Sequence, residues 1–405
     1  MGERRSDRKA RIAAQEASLL GDLAGEGGKR EALSQRAGDA TRAGDPAACD
    51  VLERALRHRG RVERATHGFH TYPAGLHPDA ARDLLTLGEG PVLDPFCGGG
   101  TVLVEAILAG RDALGLDVSP VACLVARART AKTDEAARTA LRSAARKATE
   151  EAMHPPPPMD LPEGVEDWYE PHVLAEVAAL REAVGKDPLL RAVLSSVLVK
   201  ASQRESDTSM RRAHVSRPAG TSATLFHKRA REYARMLAEL EPATGSARVH
   251  REDARELRTK EAFGQVVTSP PYPGVYDYLP MQDLRARWLG LDLDAAEMGS
   301  RRAFRVDRKR ALEHWRNDTR KWVRAAARAL APGGRMCVVI GDGMVGARRI
   351  DALTPLREAA TEAGLTQLAR VTVERWDEGV HAMRPEHAVL FAKGDHVDAK
   401  ARPSP

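Results

Sequence analysis

The stretch Pro91-Val-Leu-Asp-Pro-Phe-Cys-Gly-Gly-Gly-Thr101 runs on as Val-Leu-Val-Glu-Ala-Ile-Leu-Ala109, Gly110, and then Ala113-Leu-Gly-Leu-Asp117. PVLD is a short, fully apolar run closed by an acid, which reads as a strand buried on both faces. The glycines that follow let backbone approach a ligand, and the helix they open offers free N–H groups at its first turn. Thr101 to Ala109 reads as that helix, with Gly110 as its stop. Ala113 to Asp117 reads as a second buried strand and Val121 to Arg129 as a second helix. Strand, glycine loop, helix, strand, helix is the opening of a doubly wound α/β sheet.

Outward from this core, the chain of 405 residues is 42% hydrophobic and 30% charged. At about 150 residues per domain, that is material for two to three domains. We divide it into a polar, disordered tail over 1–60, a first part of the α/β domain over 61–132, a helical insert over 133–245, a second part over 246–396 and a tail over 397–405. The insert carries a stiff proline run, Pro155 to Pro158, and a polar surface loop, Ser202 to Gly220. Strands are expected at Ala247 to His250, Gln265 to Thr268 and Arg335 to Gly341, the last after an Ala331–Gly334 turn. Residues 280–330 and 351–363 read as helical, and Leu368 to Val373 with His387 to Phe391 as a final antiparallel pair.

No run of about 18 apolar residues reads as a membrane span. No secretory signal is visible near the start. Cys49, Cys97, Cys123 and Cys337 are scattered without metal-ligand spacing. They fit a reducing cytoplasm and predict neither disulfides nor a metal site. His67, His70 and His77 read as loop packing. The net charge of +6 is compatible with a nucleic-acid partner.

The glycine pattern is not GxGxxG, and no lysine follows as a phosphate loop requires. Asp94, at a strand end, suits a cationic amino group. Asp117, about twenty residues past the glycines, stands where an acid bonds ribose hydroxyls in doubly wound folds. A ligand with an amino-acid end and a nucleoside end fits both. The second motif is Thr268-Ser269-Pro270-Pro271-Tyr272. Two prolines after a buried strand cannot extend a ladder. They leave a rigid loop that offers backbone carbonyls and the Ser269 hydroxyl as acceptors, with a flat aromatic face from Tyr272. That set suits a planar amine.

Taken together, these two motifs resemble the class I S-adenosylmethionine-dependent amino-methyltransferases of nucleic acids. DPFCGGGT resembles their cofactor motif, and TSPPY their catalytic motif in the serine form of the cytosine-N4 DNA enzymes. The resemblance implies a seven-stranded, mostly parallel, Rossmann-like sheet. It implies cofactor contacts from Tyr72, Pro73, Asp94, Pro95, Phe96, Gly98, Gly100, Thr101 and Asp117. Asp253 resembles the acid that bonds the adenine amine. It further implies catalysis by Ser269, Pro270, Pro271 and Tyr272 on the N4 of a cytosine flipped out of DNA. Guanine N2 of RNA, adenine N6 of DNA and a catalytically inactive nucleic-acid binder remain as alternatives. Arg204, Arg211, Arg212 and Arg217, in the insert's polar loop, are expected to hold phosphates. Tyr276 and Tyr278 suit either a base pocket or packing. Whether a restriction partner exists is not legible.

Overall fold

The computed structural model describes residues 38–73, 75–345, 348–377 and 382–394. Strand β1 (Thr41–Gly44) leads into helix α1 (Pro46–Arg57), and α2 (Pro78–Leu85) follows. Next come β2 (Val92–Asp94), α3 (Thr101–Leu108), β3 (Ala113–Asp117) and α4 (Pro120–Arg129). The insert holds α5 (Glu135–Met153), α6 (Pro171–Val184), α7 (Pro188–Ala201), a hairpin of β4 (Arg204–Ser206) and β5 (Ser209–Arg212), and α8 (Thr221–Ala238). Then β6 (Ala247–Arg251) and β7 (Phe263–Thr268) lead to helices α9 (Tyr278–Met281), α10 (Asp283–Leu289), α11 (Arg301–Val306) and α12 (Arg308–Ala329). The chain closes with β8 (Leu330–Gly341), the small pair β9 (Gly343–Val345) and β10 (Arg348–Ile350), α13 (Leu353–Glu362), β11 (Leu365–Asp377) and β12 (Ala382–Lys393).

The central sheet runs β1-β11-β12-β8-β7-β2-β3-β6. The pairs joining β6, β3, β2, β7 and β8 are parallel, and β12, β11 and β1 add antiparallel at one end. The doubly wound, mostly parallel sheet read from the sequence is therefore present, with one strand more than the seven expected. Successive residues along a strand face opposite sides. Leu93, Val338 and Ile340 enter one core with Trp322 and Leu356, whereas Val92, Cys337 and Val339 enter the other with Leu52, Leu84 and Leu103. Both faces are covered by helices, which is why the strands read as continuous apolar runs.

The extra strand corrects the tail expected over 1–60. Residues 1–37 lie outside the described residues, as do 395–405, but residues 41–57 form β1 and α1. β1 pairs with β11, Thr41 opposite Thr372, and α1 buries Cys49, Leu52, Ala55 and Leu56. Those apolar residues recur every three to four positions and give one buried face. The insert's polar loop is corrected in part: residues 204–212 form the β4–β5 hairpin. The Ala331–Gly334 turn is absorbed into the start of β8, whose pairing with β7 is irregular between Phe263 and Gln265.

Helices α5 to α8 build a core of their own from residues such as Val177, Leu180, Leu194, Leu198 and Phe226, and this core reaches Trp288 on α10. Tyr233 on α8 stacks on Phe69 at 3.8 Å between ring centroids and donates a hydrogen bond to the Ala128 carbonyl at 2.7 Å. The insert thus braces the segment that precedes the glycine loop. Among the described residues no helix is long and apolar enough to cross a membrane.

Candidate active site

The strand order reverses between β2 and β7. After β6 the chain crosses back and lays β7 on the other side of β2. The crevice beyond the strand ends at such a switch point is where doubly wound folds bind ligands. Asp94 ends β2 there and Ser269 follows β7. Thr268 Oγ1 donates to Asp94 Oδ1 at 2.7 Å and ties the two strand ends together.

The glycine loop takes the shape that its residues permit. Gly98 and Gly100 have φ of 49° and 80°, a region costly for residues with a Cβ. A Cβ on Gly100 would lie 3.0 Å from Ala126 Cα, so the loop sits directly on α4. Asp94 is buried, accepts from Phe96 N at 3.1 Å as well as from Thr268, and is pushed up to about 7 by burial. Asp117 accepts from Gly98 N at 3.0 Å and Ser119 N at 2.8 Å, and burial pushes it up to about 6 against those bonds. Each carboxylate oxygen carries two lone pairs, so Asp117 keeps acceptor capacity for a diol.

The cleft over this loop has a volume of about 970 Å³. Tyr72, Pro73, Asp94, Pro95, Phe96, Gly98, Thr101, Asp117 and Asp253 line it. Gly100 lies beneath, at the N-terminus of α3. Tyr72 covers the loop: a Cβ on Gly98 would lie 3.3 Å from its ring. Ala74, next to Pro73, lies outside the described residues. Asp253 is paired within the protein. Burial would raise its carboxyl, but hydrogen bonds from Arg255 outweigh this and hold it low. Arg255 Nε donates to both Asp253 oxygens, at 2.9 and 3.0 Å, and Arg255 Nη1 donates to Asp318. Asp253 thus lines the cleft as one half of an ion pair.

A second cavity, of about 1240 Å³, adjoins the first. The two share Gly75, Leu76, Ser269 and Tyr278. Pro270 is buried beside Ser269, and among the described residues nothing donates to its carbonyl. The Pro271 carbonyl is already used, accepting from Trp315 Nε1 at 3.4 Å. Tyr272 OH lies 3.5 Å from Ser269 Oγ and donates to Glu386 Oε1 at 2.9 Å. Tyr276 and Tyr278 also line this cavity, 5.4 Å apart between centroids.

The four expected phosphate contacts separate. Arg204 is buried and donates to the carbonyls of Ser209 at 2.8 Å and Met281 at 2.9 Å; Arg217 donates to Ala201 and Ser202 at 2.9 and 2.8 Å. Both are internal braces, a correction to their reading as phosphate contacts. Arg211 and Arg212 are exposed. His67 bonds Glu105 at 2.5 Å and His70 bonds Ser195 at 3.0 Å, as loop packing. His58, His77 and Asp79 come within metal-ligand range of one another. His77, however, spends one nitrogen on Asp79 N at 3.1 Å and the other on the Gly60 carbonyl at 3.2 Å.

One positioning residue was missed. The buried Arg129, pulled down to about 10 by burial, donates to the carbonyls of Gly99 at 3.1 Å, His67 at 3.2 Å and His70. It clips the Tyr72 segment to the glycine loop. At the end of a helix rich in Arg and Ala, nothing in the sequence marks it out.

Residues 69–153 match the UPF0020 family model, an RMKL-like methyltransferase domain. The chain is 32% identical over 75 residues to the type II methyltransferase M.MvaI of Kocuria varians, across 17% of this chain. It is 35% identical over 72 residues to the type II methyltransferase M.MjaII of Methanocaldococcus jannaschii, again across 17%. These stretches span only 16% and 13% of the two relatives' own lengths. Among solved structures, TrmN from Thermus thermophilus is similar at a TM-score of 0.34 and 15% identity, covering 78% of this chain and 48% of that one. The rRNA methyltransferase aviRa from Streptomyces viridochromogenes gives 0.33 and 14%, covering 80% and 88%. The cofactor of the methyltransferase domain is S-adenosylmethionine. The cleft fits it: Asp94 and Asp117 are enclosed carboxylates with no cationic side chain bonded to them among the described residues, as a ligand bearing an ammonium and a diol requires.

Proposed function

We propose that this protein methylates nucleic acid, and that its acceptor is the exocyclic N4 of a cytosine in DNA. The observation that carries the reading is the position of Ser269, at the seam between the cofactor cleft and the second cavity. A group held there touches both compartments. S-adenosylmethionine supplies an electrophilic methyl group when bound. The chain supplies placement. Asp94 and Asp117 hold the cationic and ribose ends of the cofactor. Ser269 Oγ and the Pro270 carbonyl accept the two N–H bonds of an aromatic amine, so that the nitrogen lone pair is left facing the cleft. Tyr272, fixed through Glu386, gives the base a flat surface. Holding two reactants in line and excluding water accounts for much of the rate in such a site. Support for cytosine comes from serine at position 269, and support for DNA from the type II methyltransferase matches.

Ser269→Ala tests this. The variant should bind S-adenosylmethionine as the parent does and transfer methyl to DNA about 100-fold more slowly, the scale of losing one preorganised hydrogen bond at a reacting centre. Full transfer activity in Ser269→Ala would remove the basis for the assignment.

A further inference from the structure

The second cavity is lined by Ala55, Leu56 and Val339, by three tyrosines, and by the charged or titratable side chains of His58, Arg59, His77, Arg375, Arg384 and Glu386. These charges are unequally spent. Glu386 accepts from Tyr272 OH with one oxygen, and its other oxygen lies 2.6 Å from Arg375 Nε, an ion pair set off the line of the N–H. Arg375 also donates to the Leu56 carbonyl. Glu386 and Arg375 are thus committed to each other, to Tyr272 and to the end of α1. Arg59 is different. Its Nη1 alone caps α1, donating to the carbonyls of Leu56 at 2.9 Å and His58 at 2.7 Å. Among the described residues, its Nη2 and Nε have no partner. It is half-buried, and burial and the neighbouring Arg375 both weigh against its charge. A brace for α1 needs only one nitrogen. The rest of the fork is unspent donor capacity in the cavity that Ser269 and Tyr272 also line.

We propose that Arg59 reads the ring edge of the acceptor base, donating to N3 and O2 of a cytosine whose amine is held at Ser269. This rests on the reading of Ser269 as the methyl-transfer site. The bases differ along that edge. Cytosine presents two successive acceptors beside its amine, which match a guanidinium fork. Adenine presents one acceptor and then a C–H. Guanine presents a donor next to N2, which a guanidinium repels. A site built to bond a substrate's polar edge discriminates strongly against a base that lacks it, because its own buried donors are left unpaired.

The full chain with Arg59→Met keeps the side-chain bulk and removes the donors. Its kcat/KM for DNA should fall roughly 10- to 100-fold, the scale of lost charge-assisted hydrogen bonds, with S-adenosylmethionine affinity unchanged and the thermal midpoint lowered by loss of the α1 cap. A second measurement separates reading from bracing. DNA copied with 2-thiocytosine, whose sulfur is a poor acceptor, should be a weaker substrate for the parent and cost Arg59→Met little more. Equal kcat/KM in parent and variant, or an equal penalty from sulfur in both, overturns the assignment of Arg59. Transfer by the parent to adenine N6 or guanine N2 overturns it too, while leaving Ser269 as the transfer site. No transfer to any nucleic acid, with cofactor bound, removes the Ser269 reading and this inference with it.

Discussion

Asp94 and Asp117 show what the cleft asks of a ligand. Both are aspartates with an ordinary value of 3.8, pushed up by burial to about 7 and about 6. In this direction the folded protein holds protons that the unfolded chain releases. The ligand-free fold is therefore favoured below about pH 4 and loses that advantage as pH rises through 6 to 7. A cationic ligand reverses the trend, because it pairs only with ionised carboxylates. We predict that S-adenosylmethionine binds more tightly, and raises the thermal midpoint more, at pH 8 than at pH 5.5. Calorimetric titration across that range measures it, and an affinity flat with pH would contradict the pairing. These two residues were legible in the sequence because each stands at the end of an apolar strand beside residues with special backbone needs. Arg59, Arg129 and Glu386 were not. Their roles arise from partners distant in sequence, such as Gly99 for Arg129 and Tyr272 for Glu386.

At the level of elements, the end of β8 fits closely to the catalytic loop. Gly341 pairs with Glu386 across β8 and β12, and a Cβ on it would lie 2.6 Å from Tyr272 Cε2. The end of the strand is thus bare where the Tyr272 ring must lie. Gly341→Ala should push the ring off its seat and break its bond to Glu386, at a cost of about 1–3 kcal/mol in stability from overpacking. The expected kinetic result is a raised KM for DNA with unchanged cofactor affinity. Unchanged steady-state kinetics would mean that Tyr272 does not form the seat of the base. Elements were legible where periodicity was clear: β2, α3 and β3 fall within a residue or two of their reading. β1 was missed because Thr-Arg-Ala-Gly at a sheet edge has no alternating apolar pattern, only partners on β11. α1 was missed because its five buried residues are diluted among arginines and acids. The β4–β5 hairpin was hidden the same way, since all but one of its residues are at least partly exposed.

Taken whole, the molecule puts two compartments on either side of one loop. The parallel strands deliver the cofactor cleft. The antiparallel edge, together with α1, delivers the second cavity, so the N-terminal segment that the sequence presented as a tail forms part of the candidate substrate site. The insert packs on the other flank, ties into the segment before Tyr72 through Phe69 and Tyr233, and carries Arg211 and Arg212 on its surface. The central claim concerns what enters the second cavity, and one measurement addresses it directly. Purified protein is given methyl-labelled S-adenosylmethionine with DNA and with total RNA in separate reactions. The products are digested to nucleosides, and the labelled one is identified by mass. The arrangement predicts label in N4-methylcytosine of the DNA. Label confined to RNA, or to a purine, would contradict it.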